Sequence, residues 1–207
     1  MVTETASVDR RVAEVADVGS LGLWRLSVEQ YHAMGHAGIL EDGAPIELLE
    51  GLLVAKVTKN PPHELVKQLL PTAIERMLPS GWFVRREAPL TLADSEPEPD
   101  LAVVRGDPRA YAARHPAPAE TALVVEIADA SLHRDLTLKK RIYARAGIPC
   151  YWVIDLRERR VEVLSKPVER DGVPDYDTRV VVGDDGMLPV VVEGRQVGQL
   201  VMRDVLP

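Results

Sequence analysis

Two acids and a lysine stand where this chain would otherwise carry apolar residues. Asp100 heads the run Leu101-Ala-Val-Val104, Glu126 interrupts Thr121-Ala-Leu-Val-Val-Glu-Ile-Ala128, and Lys139 lies in a segment with helical periodicity. Burying an ionised carboxylate without a partner costs several kcal/mol, so each acid demands a cation, a set of hydrogen bonds or a raised pKa. Two carboxylates that share a divalent cation, with an ammonium beside them, suit phosphodiester hydrolysis. That reaction needs charge stabilisation on the phosphate, an activated water and a stabilised leaving oxygen.

The elements around these residues decide whether they can meet. Residues 121–128 have the length and β-branched composition of an interior strand. Pro99 forces extended geometry on its predecessor and cannot donate to a sheet ladder, so the other strand begins at Asp100 and leaves its carboxylate at a strand end. The intervening stretch Arg105 to Glu120 contains Gly106 and three prolines, Pro108, Pro116 and Pro118. It reads as an irregular connection that returns the second strand beside the first. Residues 135–147 carry a helix start signal at Asp135 and a terminal glycine at Gly147. On a helical wheel Lys139 falls near 100°, inside the roughly 160° apolar arc of Leu138, Ile142, Ala146, Tyr143 and Leu136, whereas Lys140, Arg141 and Arg145 fall outside it. Lys139 is therefore expected to face the sheet.

A purely structural explanation exists for each charge. Asp135 and Lys139 form an i,i+4 pair that could do no more than stabilise a helix, and Glu126 could pair with Lys139 or Arg134 as a buried ion pair. Three such charges in one region favour a site over three separate accidents.

The same residues carry a family resemblance. Pro99-Asp-Leu-Ala-Val-Val104, Leu123-Val-Val-Glu-Ile-Ala-Asp-Ala-Ser-Leu132, the series Asp135, Lys139, Tyr143-Ala-Arg-Ala-Gly-Ile-Pro149, and Tyr151-Trp-Val-Ile-Asp155 together resemble the Uma2 family (DUF820) of the PD-(D/E)xK nuclease superfamily. Ile46-Glu-Leu-Leu-Glu-Gly51 and Pro62-His63 resemble its N-terminal strand turn and the start of its first core helix. The resemblance implies a restriction-endonuclease-like α/β fold, a mixed central sheet flanked by helices. It also implies Asp100 and Glu126 as metal-binding acids and Lys139 as the catalytic lysine. The plain superfamily pattern puts that lysine two residues after the second acid, where this chain has Ala128. A lysine migrated to the following helix is implied instead, in agreement with the helical wheel. Where the family has Glu between Pro149 and Tyr151, this chain has Cys150. The implied cofactor is Mg²⁺, with Mn²⁺ as an alternative, and the implied substrate is nucleic acid, chiefly DNA. Glu47, Glu50, His63 and Asp135 are candidate outer contributors, although turn or capping roles explain each equally well.

The 207-residue chain is of one-domain size, and its 46% hydrophobic content argues against disorder. Residues 1–18 are expected to be a loosely ordered segment without the apolar core of a signal peptide, ahead of a single domain over 19–207. A net charge of −7 gives no general positive field for nucleic acid. Contact would fall to a local patch, for which Arg134, Lys139, Lys140, Arg141 and Arg145 against the single acid Asp135 are the candidates. The alternative for the outward members is a solvated helix face. One cysteine excludes an internal disulfide and suits a reducing cytoplasm; no run approaches a membrane span.

The remaining organisation is α/β. Ser27 caps a short helix to about Gly35, residues 46–57 form a hairpin turning at Glu50-Gly51, and Pro62 to Leu78 form an amphipathic helix with Leu65, Leu69 and Ile74 inward. Strands follow near 82–86, 101–104, 123–128 and 151–155. Further antiparallel strands near 160–164, 178–182 and 190–193 are added after them, with a turn at Asp184-Asp-Gly186. His32 and His36 lack the accompanying Glu of a zincin helix, and His133 lacks a nucleophile partner. Three functions remain: a metal-dependent endonuclease, its protomers paired if it cuts both strands, a non-catalytic nucleic-acid-binding or interaction protein that keeps the fold and the ion cluster, or a nuclease-like enzyme for structured DNA or RNA.

Overall fold

The computed structural model describes residues 22–41, 43–57 and 60–207; the expected N-terminal segment 1–18 lies outside them. Helix α1 (Val28–His36) starts in a capping box, in which the Ser27 side chain accepts from Gln30 N–H and the Gln30 side chain accepts from Ser27 N–H. Strands β1 (Ile46–Leu49) and β2 (Leu52–Ala55) pair antiparallel around Glu50-Gly51. Both turn residues have positive φ, 48° and 76°, as a two-residue turn of the primed kind needs. Gly51 is required sterically as well, since a Cβ there would lie 2.7 Å from Arg25 Cβ.

Helix α2 (Pro61–Glu75) is capped by the Asn60 side chain, which accepts from His63 N–H. Its buried face is His63, Val66, Leu70, Pro71 and Ile74; Leu65 and Leu69, expected inward, are instead exposed. The sequence pairs Leu65-Val66 and Leu69-Leu70 offer two adjacent apolar stripes, both of which end at Ile74. The stripe that also turns His63 inward is the one used.

Strands β3 (Trp82–Arg86), β4 (Leu101–Arg105), β5 (Thr121–Ala128), β6 (Cys150–Asp155), β7 (Arg160–Arg170) and β8 (Val173–Gly183) form one sheet in sequential order. Only β5 and β6 run parallel, and the chain between them is helical: α3 (Leu132–Arg134), a π-helical turn (Asp135–Lys139) and α4 (Lys140–Arg145). A parallel pair requires such a crossover. The mixed sheet with flanking helices is the expected architecture. The C-terminal strands are longer than expected, and β9 (Met187–Val192) with β10 (Arg195–Val201) forms a separate hairpin.

The two faces of the sheet bury different clusters. Leu123, Val125 and Ile127 point towards Val66, Leu70 and Ile74 of α2 and towards Leu188, Val190 and Leu200 of the β9–β10 hairpin. Val124 and Ala128 point the other way, towards Ile142, Tyr143 and Tyr151. Because side chains alternate along a strand, Glu126 belongs to this second face, under the crossover helices.

Candidate active site

The register of the sheet brings the two acids together. Leu101 pairs with Val125 in the antiparallel β4–β5 ladder, and one further step sets Asp100 opposite Glu126 on the same face. The Ile127 N–H donates to Asp100 Oδ2 at 2.8 Å, so a carboxylate extends the ladder beyond the last backbone pair. From the start of α2, His63 reaches around the strand end, its Nε2 lying 3.2 Å from Asp100 Oδ2.

Lys139 arrives from the π-turn. Lys140 N–H bonds to Asp135 O, five residues back instead of four, and this wider turn buries both Asp135 and Lys139. Such turns recur at functional sites. Lys139 Nζ donates to Glu126 Oε1 at 3.0 Å and lies 3.2 Å from Glu47 Oε2 on β1. The Tyr143 hydroxyl donates to the same Glu126 Oε1 at 2.8 Å, and the Glu98 backbone N–H donates to Glu47 Oε2. Asp100, Glu126, Lys139, Glu47, Asp135 and His63 all line one cleft.

Electrostatically this cleft is overloaded with acid. Asp100, Glu126, Glu47 and Asp135 are each at most 7% exposed, and among the described residues Lys139 is the one buried ammonium beside them. Burial, only partly countered by Lys139, pushes the Glu126 carboxyl up to about 8; the neighbouring Asp135, Asp100 and Glu47 push the same way. Asp135 is raised as well, chiefly by burial, and among the described residues its buried Oδ1 has no hydrogen-bond partner. Burial alone would lower Lys139, but Glu126, Glu47 and Asp135 outweigh it and hold the ammonium above its ordinary range.

Such a donor set fits a hard divalent cation: hard oxygen ligands, a negative excess and an orphaned carboxylate oxygen. Among the described residues no group of three or more His, Cys, Asp or Glu could hold a metal ion by itself. Mg²⁺ does not need one, since it is bound through one or two carboxylates with retained waters and substrate phosphate.

Other sequence candidates lie elsewhere or change role. Glu50 is not in the cleft; it pairs with Arg141 and Arg145 on the outer side of α4. The expected basic patch is largely neutralised, because Lys140 pairs with Asp175, and Arg145 also meets Asp94. Arg134 lines the cleft and donates to Ala55 O, and Lys56, paired with Glu98, lines it as well. Cys150 does not line it; burial pushes its thiol up to about 12, which makes it inert. Tyr143 was legible as one apolar position on the helical wheel and as part of the family motif, with no role assigned to its hydroxyl. The π-turn had no sequence signal.

Comparison with known proteins agrees with this architecture. A family model described as "Uma2: Putative restriction endonuclease" matches residues 28–197. A crystal structure described as that of "a putative nuclease belonging to DUF820 from Anabaena variabilis ATCC 29413" superposes with a TM-score of 0.66 at 16% identity, covering 87% of this chain and 97% of that one. No curated protein matches.

Proposed function

The chain belongs to the Uma2 family, whose description is "Putative restriction endonuclease", and from that premise we propose that it is a Mg²⁺-dependent endonuclease that hydrolyses phosphodiester bonds in DNA. The observation that carries this reading is the charge excess of the cleft, where the described residues set four buried carboxylates around one buried ammonium. Asp100 and Glu126 would hold the cation, with Mn²⁺ able to replace Mg²⁺. Bound there, the cation would polarise the phosphate and lower the pKa of an attacking water.

The protein's own groups set the rest of the chemistry. Lys139 stays protonated at neutral pH, because Glu126, Glu47 and Asp135 surround it. It therefore acts as a fixed positive charge that orients water and offsets charge growing on the phosphate, and it does not remove the proton. Glu47 holds that ammonium in place from β1, and His63 and Ile127 N–H fix the rotamer of Asp100. Arg134 and Lys56, at the cleft wall, are the side chains for backbone phosphates.

The −7 net charge and the paired outer arginines speak against a pure binding module, which relies on a positive field. The test is cleavage of supercoiled and linear duplex DNA by purified protein with Mg²⁺, Mn²⁺ or EDTA, beside Asp100→Ala and Lys139→Ala. Metal-dependent cutting lost in both variants supports the reading. Cutting that persists in either variant, or an absence of cutting with every metal, sinks it. No helix of the described residues is long and apolar enough to cross a membrane.

A further inference from the structure

Buried tyrosine hydroxyls need an acceptor, and the usual solution is a backbone carbonyl. Tyr111 donates to Arg105 O and Tyr151 donates to Asp135 O. Tyr143, fully buried on α4, departs from this pattern, because its hydroxyl donates to a carboxylate. It uses the oxygen that Lys139 already occupies: Oε1 of Glu126 receives the ammonium at 3.0 Å and the phenol at 2.8 Å, while among the described residues Oε2 takes part in no hydrogen bond. A carboxylate oxygen has two lone-pair sites, so two donors saturate Oε1 and fix the plane of the group.

We infer that Tyr143 is a positioning residue which, together with Lys139, occupies one oxygen of Glu126 so that the carboxylate offers only its other oxygen to a cation in the cleft. The inference rests on the metal-binding reading above and specifies how that site is built. The aromatic packing makes the placement rigid. The Tyr143 ring lies 4.9 Å from that of Tyr151 at 54°, and Tyr151 in turn lies 6.3 Å from Tyr176. Tyr151 and Tyr143 are both fully buried, so the phenol cannot swing away without opening the core. Groups that orient metal ligands in this way are typically worth about 10- to 100-fold in metal affinity.

The test is calorimetric titration of the full chain with Mn²⁺, comparing wild type, Tyr143→Phe, Tyr176→Phe and Asp100→Ala. Tyr176 is the control: it belongs to the same aromatic stack, but its buried hydroxyl has no partner among the described residues. Tyr143→Phe is expected to bind Mn²⁺ about 10- to 100-fold more weakly, with an unchanged far-ultraviolet circular dichroism spectrum, and Tyr176→Phe to stay within about twofold. A Tyr143→Phe affinity within about twofold of wild type, or an equal loss in Tyr176→Phe, overturns the inference. If wild type binds and Asp100→Ala does not, such a result leaves the nuclease reading standing. A wild type that binds no Mn²⁺ overturns both. An infrared difference spectrum of wild type with and without Mg²⁺, its Glu126 band assigned by loss in Glu126→Gln, covers the case of a Tyr143→Phe chain that does not fold. The wide splitting of a carboxylate ligating through one oxygen supports the inference, and the narrow splitting of two-oxygen chelation overturns it.

Discussion

The crossover between β5 and β6 presents basic residues to two groups of acids, one on each side. Inward, Lys139 meets Glu126 and Glu47, with Asp135 and Asp100 close by, all buried. Outward, Arg141 and Arg145 share Glu50, and Arg145 adds Asp94, with arginine side chains 39% and 40% exposed. The residue types hardly differ; the stoichiometry and the solvent do. Outside, two guanidiniums match two carboxylates in water-accessible geometry, and the ordinary result is a modest ion-pair network. Inside, one ammonium faces four carboxylates in a low-dielectric setting, and the deficit leaves Glu126 raised to about 8 by burial first, while Glu50, bonded to Arg141, is lowered. A charge imbalance held in place by packing separates the candidate site from the scaffold, and a count of charged residues does not.

Removing one member from each cluster gives the largest contrast. Asp100→Asn or Lys139→Met should lower metal-dependent DNA cleavage by at least about a hundredfold, the scale of losing one charge-stabilising group in a preorganised site. Glu50→Gln should leave it within about twofold. An assay in which Glu50→Gln and Asp100→Asn lose similar activity would erase the distinction. Mg²⁺ at about a hundred times its Kd should add roughly 2.7 kcal/mol to the stability of the wild type. Thermal unfolding should show that gain in wild type and Glu50→Gln and none in Asp100→Asn.

Metal-free pH dependence is expected to be the next largest effect. The folded pKa of Glu126 is raised from 4.5 to about 8, so the folded protein keeps a proton that the unfolded chain releases. Its stability contribution is full below about 4.5 and declines as pH rises through about 8, at roughly 1.4 kcal/mol per pKa unit as an upper limit. Glu126→Gln cannot ionise. Melting temperatures of this variant and wild type without metal should therefore nearly coincide at pH 5, and the variant should gain by several degrees towards pH 8.5. Parallel pH curves would show that Glu126 is not the group held protonated.

How much of this was legible in the sequence follows from what burial does to pattern. Asp100, Glu126 and Lys139 stood out because each interrupts an apolar period, and a period is readable without coordinates. Glu47, His63 and Asp135 sit at a strand interior, a helix start and a helix turn, where an acid or histidine is ordinary, so only their convergence distinguishes them. The π-turn adds one residue to a helical ladder that no propensity encodes. On α2 the doubled apolar stripe pointed to Leu65 and Leu69, whereas the buried face is the neighbouring one, which brings His63 to Asp100. The β10 strand escaped notice because Arg195-Gln-Val-Gly-Gln-Leu-Val201 has a glycine in its centre. That glycine has a packing reason, since a Cβ at Gly198 would come within 2.9 Å of Met77 Cβ. The local excess of basic residues around α4 misled for the opposite reason: the acids that neutralise it, Glu50, Asp94 and Asp175, are distant in sequence.

The outer cluster supplies the smallest expected effect and an opposite sign. Its hydrogen bond to Arg141 is the main reason the Glu50 carboxyl lies below its ordinary 4.5, so its stabilisation is present above that value and is lost as pH falls below it. Both arginines are more than a third exposed, which limits the network to about 1 kcal/mol at low salt. Glu50→Gln should therefore cost about that much in urea unfolding at pH 7, and less in 1 M NaCl, where the Debye length shrinks to about 3 Å. The gap to wild type should close as pH falls towards 3, whereas the Glu126→Gln gap opens as pH rises. If the Glu50→Gln cost were several kcal/mol and insensitive to salt, the outer cluster would be as desolvated as the inner one, and charge balance alone would have to distinguish them.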